Sequence, residues 1–148
     1  MPDRPTTDPH DLQRFVAAQE GVYACALEEL RCGSKRSHWM WFVFPQIDGL
    51  GRSEMARRYA IRSREEAAAY LRHEVLGPRL RECADALLGV EGKTADDIMG
   101  FPDDLKLQSS MTLFAHVSDL GSLFHRVLEK FFGGSPDAKT LELLAAAR

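Results

Sequence analysis

The chain has 148 residues and a formal net charge of -3, from 19 Lys and Arg against 22 Asp and Glu. This length fits one domain, and a composition of 45% hydrophobic and 28% charged residues is typical of a globular protein, which excludes a disordered or fibrous chain. The negative net charge disfavours nucleic acid as a partner.

The sequence also predicts the compartment. No apolar run reaches the roughly 18 residues that cross a bilayer, and the polar opening MPDRPTTDPHD lacks the apolar core of a signal peptide. The three cysteines, Cys25, Cys32 and Cys83, do not have the spacing of a disulfide framework, so we expect reduced thiols. A cytoplasmic protein without a membrane partner is predicted.

The first predicted elements are an irregular arm and one long helix. Three prolines within residues 1–10 predict a flexible N-terminal arm, because proline and the residue before it resist helix. From Asp11 onward, apolar residues recur at spacings of three and four as far as Leu30, and Gly33 follows. This pattern predicts a single helix from Asp11 to Gly33, which begins a helical domain over residues 11–148.

An aromatic segment, Trp39 to Phe44, follows this helix. Six consecutive apolar residues are compatible with a helix or with a buried strand, and periodicity alone does not separate the two. We favour a short helix that Ser37 caps and that ends before Pro45, because its neighbours are helical. After a glycine turn, Ser53 is expected to cap the next short helix.

Local signals predict the remaining helices. Ser63 and Glu66 have the spacing of a capping box, which predicts a helix to about position 72. Pro78 is expected at the first position of the next helix, which Gly89 closes. Thr94 is expected to cap a stretch that ends at position 99.

The last third of the chain completes an all-α prediction. Pro102 is expected to open a helix, and Gly133 and Gly134 separate two C-terminal helices. No hairpin or alternating strand pattern is present in the sequence. We therefore expect an all-α, single compact domain of about seven or eight short to medium helices, packed irregularly around one core.

Three sequence blocks resemble a known family. They are KRSHWMWFVFPQIDGLG, HEVLGPRLRECADALL and PDDLKLQSSMTLFA, in that order. Together they are similar to the bacterial family catalogued as Domain of Unknown Function 1810, over nearly the whole chain. Glu74 stands where many members have proline. The resemblance implies a small all-α protein and brings no established activity.

Two proposed helix starts carry positive residues that suit an anion. Lys35 and Arg36 precede Ser37 at the first start, and Arg52 lies beside the second. Free amides and the helix dipole favour an anion at such positions, and cationic side chains strengthen the attraction. The two segments together are predicted to hold a phosphate or diphosphate.

The aromatic segment offers rings beside that anion site. His38, Trp39 and Trp41 could stack on a nucleobase, and Gln46 could read an amide or a base edge. The competing interpretation is structural, because an element that is apolar all round more often forms core.

A second group of polar residues lies in the block that begins at Pro102. Asp103, Lys106 and Ser110 share one helix face, and Ser109 adds a hydroxyl. Flanking leucines could desolvate Lys106, which would make it a partner for an anion. An ordinary ion pair of Asp103 with Lys106 explains the same pattern.

These observations lead to one functional hypothesis and two alternatives. The hypothesis is a protein that binds a phosphorylated nucleoside-like small molecule, with hydrolysis left open and no catalytic residue assigned. Its pocket gathers the segment from Lys35 to Gln46, the turn at Arg52 and the helix that carries Lys106. The first alternative is a non-catalytic protein–protein interaction module that uses Trp39 to Phe44 to bind a protein partner. The second is that all three blocks serve packing alone.

No metal or organic cofactor is predicted. The five histidines do not fall at positions i and i+4, and no two cysteines are separated by two residues. The sequence therefore contains no zinc or haem signature.

Overall fold

Helices form the regular structure of the chain, which a computed structural model describes over residues 8–147. Within this range the all-α prediction is confirmed, and no strand is present apart from one isolated bridge. Ten helices are found there, so the predicted seven or eight was too few. The predicted arm over residues 1–10 lies mostly outside the described range. The helices are Gln13–Gln19 (α1), Tyr23–Arg31 (α2), Met40–Val43 (α3), Glu54–Arg58 (α4), Arg64–Arg72 (α5), Leu76–Leu88 (α6), Ala95–Met99 (α7), Asp103–His116 (α8), Leu123–Phe132 (α9) and Ala138–Ala146 (α10).

The long helix predicted from Asp11 to Gly33 is wrong as one element, because the chain breaks between α1 and α2. Gly21 has a φ of 74°, a left-handed conformation that glycine adopts without strain. The buried Gln19 side chain, at the end of α1, donates to the Phe42 carbonyl at 2.7 Å. The break directs α1 against α3 and α2 against α6.

The aromatic segment is helical, as we favoured, but the helix is shorter than predicted. α3 begins at Met40, and Ser37 does not cap it because the Ser37 hydroxyl donates to Glu29 instead. Pro78 is the third residue of α6 rather than the first, because that helix begins at Leu76.

Three of the predicted helix caps are confirmed. Ser53 and Ser63 each accept a hydrogen bond from the backbone amide three residues later, at 3.0 Å. Thr94 and Asp97 form a reciprocal capping box. The Glu66 carboxylate departs from the predicted box, because it accepts from the Arg62 amide at 3.0 Å.

The core lies around α6 and α8. α8 packs against α5, α7, α9 and α10, and α6 packs against α2, α5 and α9. One contiguous cluster of buried side chains joins these helices, which makes the described chain a single compact domain. None of these helices is long and apolar enough to cross a bilayer. The largest fully buried aromatic side chains are Trp39, Tyr70, Phe15, Phe44, Phe114 and Phe124.

Two backbone segments that flank α4 are fixed against each other. An isolated parallel bridge joins Ile47 to Ile61, and the Ile61 amide donates to the Gln46 carbonyl at 2.8 Å. Arg14, from α1, donates to the Ala60 carbonyl at 2.8 Å and pairs with Glu66 at 2.9 Å, with both side chains at least nine-tenths buried. These contacts hold the wall of the cavity described below.

Gly77, near the start of α6, lies where no side chain fits. A β-carbon at this position would stand 2.1 Å from the Leu71 carbonyl oxygen. We expect Gly77→Ala to lower the free energy of unfolding by about 2 kcal/mol, measured by urea denaturation, because the backbone must shift. Gly89→Ala is the matched control, since its β-carbon would meet nothing closer than 3.5 Å. Equal stability of the two variants would contradict this prediction.

A candidate anion-binding cavity

A cavity of about 200 Å³ opens beside α3 and α4. Residues of both helices, of the connecting loop and of α8 line it, so segments far apart in sequence meet there. Most of the lining is apolar, which fits a site that desolvates a small molecule. The lining residues are Met40, Trp41, Phe44, Gln46, Ile47, Gly51, Arg52, Ser53, Ala56, Tyr59 and Lys106.

Two cationic side chains line this cavity. Arg52 is exposed, and the Lys106 side chain is 34% exposed. The Lys106 ammonium lies 5.6 Å from the centre of the Trp41 ring, within the range of a cation–π interaction. Among the described residues that line the cavity there is no aspartate or glutamate, so the lining carries only positive charge.

Lys35 lies outside the cavity lining and pairs with Asp103, the carboxylate beside Lys106. Its ammonium is 2.9 Å from Asp103 Oδ2, and the Lys35 side chain is only 6% exposed. The other Asp103 oxygen is 3.8 Å from the Lys106 ammonium. Lys35 also lies 4.9 Å from the centre of the Trp39 ring. Because Lys35 and Lys106 share the single carboxylate of Asp103, the three groups together keep one net positive charge.

Glu29, on α2, is a buried residue that the sequence analysis missed. One of its carboxylate oxygens accepts from the Trp39 ring nitrogen at 2.9 Å and from the amides of Arg36 and Ser37 at 2.9 and 3.1 Å. The other oxygen accepts from the Ser37 hydroxyl at 2.5 Å. Burial alone would raise the pKa of Glu29, but these hydrogen bonds outweigh it and lower the pKa to about 2.

Glu29 therefore gives a structural role to two predicted site residues, Ser37 and Trp39. A sequence signal for it existed, because Glu29 stands among Ala26, Leu27 and Leu30, which are all buried on the inner face of α2. A charged residue inside an apolar stripe indicates a buried carboxylate that needs several donors.

The remaining predicted residues do not line the cavity. Ser109 donates to the Leu105 carbonyl at 3.2 Å, which is an ordinary contact within α8. The Ser110 hydroxyl is buried and has no partner among residues 8–147, and His38 is exposed. Of the ten predicted site residues, the structure brings four together in the cavity: Trp41, Gln46, Arg52 and Lys106. The others lie outside its lining: Lys35, Ser37, His38, Trp39, Ser109 and Ser110.

Comparisons with known proteins identify relatives of this chain. Residues 9–144 match the family described as Protein of unknown function (DUF1810). The fold is similar to the crystal structure of the conserved hypothetical protein Rv1873 from Mycobacterium tuberculosis, with a TM-score of 0.91 and 56% sequence identity. That similarity covers 93% of this chain and 99% of the other. A search of curated proteins found no match.

Proposed function

Because the chain belongs to the DUF1810 family, whose description assigns no activity, we propose a function from the cavity itself. The protein binds a small phosphorylated molecule that carries a flat ring, and a phosphorylated nucleoside is the most concrete form of this ligand. The phosphate lies between Arg52 and Lys106 at the mouth of the cavity, and the ring packs on its aromatic wall.

The observation that carries this proposal is the meeting of Arg52 and Lys106 in one cavity. The two residues come from separate segments, and the carboxylate nearest to Lys106 is already paired with Lys35. Guanidinium and ammonium groups are the side chains that bind phosphate most strongly. Two cations beside a low-dielectric wall also attract an anion more strongly than the same groups on an open surface.

The volume of the cavity suits a ligand with one ring and a phosphate. Its volume, about 200 Å³, is smaller than the roughly 300–1,000 Å³ of pockets that enclose a whole drug-sized ligand. Trp41 and Tyr59 offer aromatic surface for a ring. We therefore expect the ring to enter the cavity, while the sugar and phosphate remain nearer to solvent.

Binding without turnover is the form of the function that we propose. Within residues 8–147, the groups that line the cavity include no carboxylate, imidazole or thiol that could serve as an ordinary general base. Hydrolysis is therefore not part of the proposal.

The alternative interaction module receives less support from the same geometry. Trp39 and Phe44 are fully buried, and Met40, Phe42 and Val43 are at most 8% exposed. A protein-binding patch needs contiguous apolar surface in contact with solvent, and this segment offers little of it.

A thermal-shift panel tests the proposed function. Wild-type protein is melted with AMP, ADP, ADP-ribose, NAD and inorganic phosphate. A ligand at one hundred times its Kd stabilises the fold by about 2.7 kcal/mol, which corresponds to a Tm increase of roughly 5–10 °C. We expect a clear increase with at least one ring-bearing phosphate and a smaller one with inorganic phosphate. An unchanged Tm across the whole panel would overturn the proposal.

Variants of Arg52 and Lys106 test whether the ligand binds in this cavity. Arg52→Gln and Lys106→Met are each expected to weaken the binding of the active ligand about tenfold in calorimetry, because each removes one charged contact to phosphate. Arg64→Gln is the matched control, since Arg64 is exposed on α5 and does not line the cavity. Equal losses in all three variants would show that the ligand responds only to net charge.

A further inference from the structure

Tyr59 has a hydroxyl without a partner, although its side chain is almost buried. The residue is 8% exposed and lines the cavity, and its ring contacts those of Phe15 and Phe42 at centroid distances of 5.8 and 5.5 Å. The hydroxyl makes no hydrogen bond to any residue in the range 8–147. Within the described residues, Ser110 carries the one fully buried side-chain oxygen without a partner, so the Tyr59 hydroxyl keeps some exposure. Because Tyr59 lines the cavity, its unpaired hydroxyl is available to a molecule bound there.

Tyr70, in the same core, has a hydroxyl that does form a hydrogen bond. Its ring also packs on Phe15, at 5.1 Å, but its hydroxyl accepts from the Gln19 amide at 3.2 Å. Tyr23 is satisfied as well, since its hydroxyl donates to the Glu82 carboxylate. The free hydroxyl of Tyr59 is therefore not a general property of the tyrosines in this fold.

Gln46 places a second unpaired polar group on the cavity lining. Its backbone carbonyl is fixed by the Ile61 amide at 2.8 Å, but its side-chain amide has no hydrogen-bond partner in the described part of the chain. A glutamine amide both donates and accepts, so it matches a ring edge that presents an acceptor beside a donor. A plain hydrocarbon ring would leave the polar groups of both Gln46 and Tyr59 without hydrogen bonds. Such unpaired groups strongly lower the affinity of a site for that ligand.

We propose that Tyr59 and Gln46 select a ring that forms hydrogen bonds, a nitrogen heterocycle such as a nucleobase, over a plain aromatic ring or a sugar alone. This inference rests on the proposed function and deepens it, because it assigns the ring to one chemical class. Arg52 and Lys106 then supply affinity for the phosphate, and Tyr59 and Gln46 supply selectivity for the ring.

Isothermal titration with four probes tests the selectivity. The probes are AMP, UMP, phenyl phosphate and ribose 5-phosphate, which share the phosphate group and differ in the ring. We expect at least one nucleotide to bind ten times or more tightly than phenyl phosphate and ribose 5-phosphate. If phenyl phosphate binds as tightly as both nucleotides, the inference is wrong while the proposed function stands. If none of the four binds, the proposed function fails and the inference fails with it.

Tyr59→Phe assigns the selectivity to the hydroxyl. We expect the affinity for the preferred nucleotide to fall about five- to tenfold, the affinity for phenyl phosphate to stay the same, and the Tm to stay within about 1 °C, because no internal hydrogen bond is lost. Tyr23→Phe is the matched control, which should lower the Tm and leave the selectivity unchanged. Equal losses for both ligands in Tyr59→Phe would overturn the role of the hydroxyl.

Discussion

Glu29→Leu is expected to lower the free energy of unfolding by about 4 kcal/mol and the Tm by roughly 10 °C. The Glu29 carboxylate accepts from two backbone amides, the Trp39 ring nitrogen and the Ser37 hydroxyl. Leucine accepts none of these bonds, and Trp39 is fully buried, so its ring nitrogen would have no access to water. Each buried donor left without a partner costs about 1–3 kcal/mol. Urea denaturation measures the loss.

The charge on Glu29 predicts a pH dependence of this stabilisation. In the folded protein, the hydrogen bonds that outweigh burial lower the pKa of Glu29 from 4.5 to about 2. A lowered pKa means that the charged carboxylate stabilises the fold above about pH 4.5, and that this contribution disappears as the pH falls towards 2. The stability difference between wild type and Glu29→Gln should therefore be constant near neutral pH and narrow below about 4.5. A difference that does not change down to pH 2.5 would contradict this.

Two further variants show how much of the lost stability comes from the charge of Glu29 and how much any leucine on this helix would cause. Glu29→Gln keeps one acceptor oxygen and removes the charge, so we expect about half of the loss seen with leucine. Glu28→Leu changes an exposed neighbour on the same helix and should stay within about 0.5 kcal/mol of wild type. A loss in Glu29→Leu no larger than in Glu28→Leu would show that the carboxylate does not hold the segment before α3.

The sequence predicted those parts of the fold that depend on near neighbours. Ser53, Ser63 and Thr94 cap the helices they were expected to cap, because a cap needs only a side-chain oxygen and an amide three residues away. The break at Gly21 was missed, because the apolar stripe continues across it on both sides. Tertiary packing separates α1 from α2, since the two helices pack against different partners.

The candidate site was predictable only in part, because it also depends on contacts between residues far apart in sequence. Trp41, Gln46 and Arg52 lie close in sequence, so composition alone marks their segment. Their meeting with Lys106 depends on how α8 packs, and no spacing encodes that. Tyr59 has no distinguishing signal in the sequence, because an unpaired hydroxyl becomes visible only when every neighbour is known.

Lys35→Met is expected to lower the free energy of unfolding by about 2–3 kcal/mol and also to weaken phosphate binding. The Lys35 side chain is 6% exposed and the Asp103 side chain 21% exposed, so removing the ammonium leaves a largely desolvated carboxylate without its nearest cation. The only other described cation paired with Asp103 is Lys106, at 3.8 Å. We expect Asp103 to draw Lys106 closer, which takes positive charge away from the cavity. Urea denaturation and titration with AMP measure the two effects.

A double variant shows whether both effects pass through Asp103. In Lys35→Met with Asp103→Asn, no buried charge remains unpaired, so we expect at least half of the lost stability to return. Nucleotide affinity should return as well, because Lys106 then has no carboxylate to pair with. Lys139→Met, at an exposed position on α10, controls for the loss of one positive charge and should change neither quantity. If the losses of stability in Lys35→Met and in Asp103→Asn simply add, Lys35 acts through its contacts with Trp39 and the Ser37 carbonyl and not through Asp103.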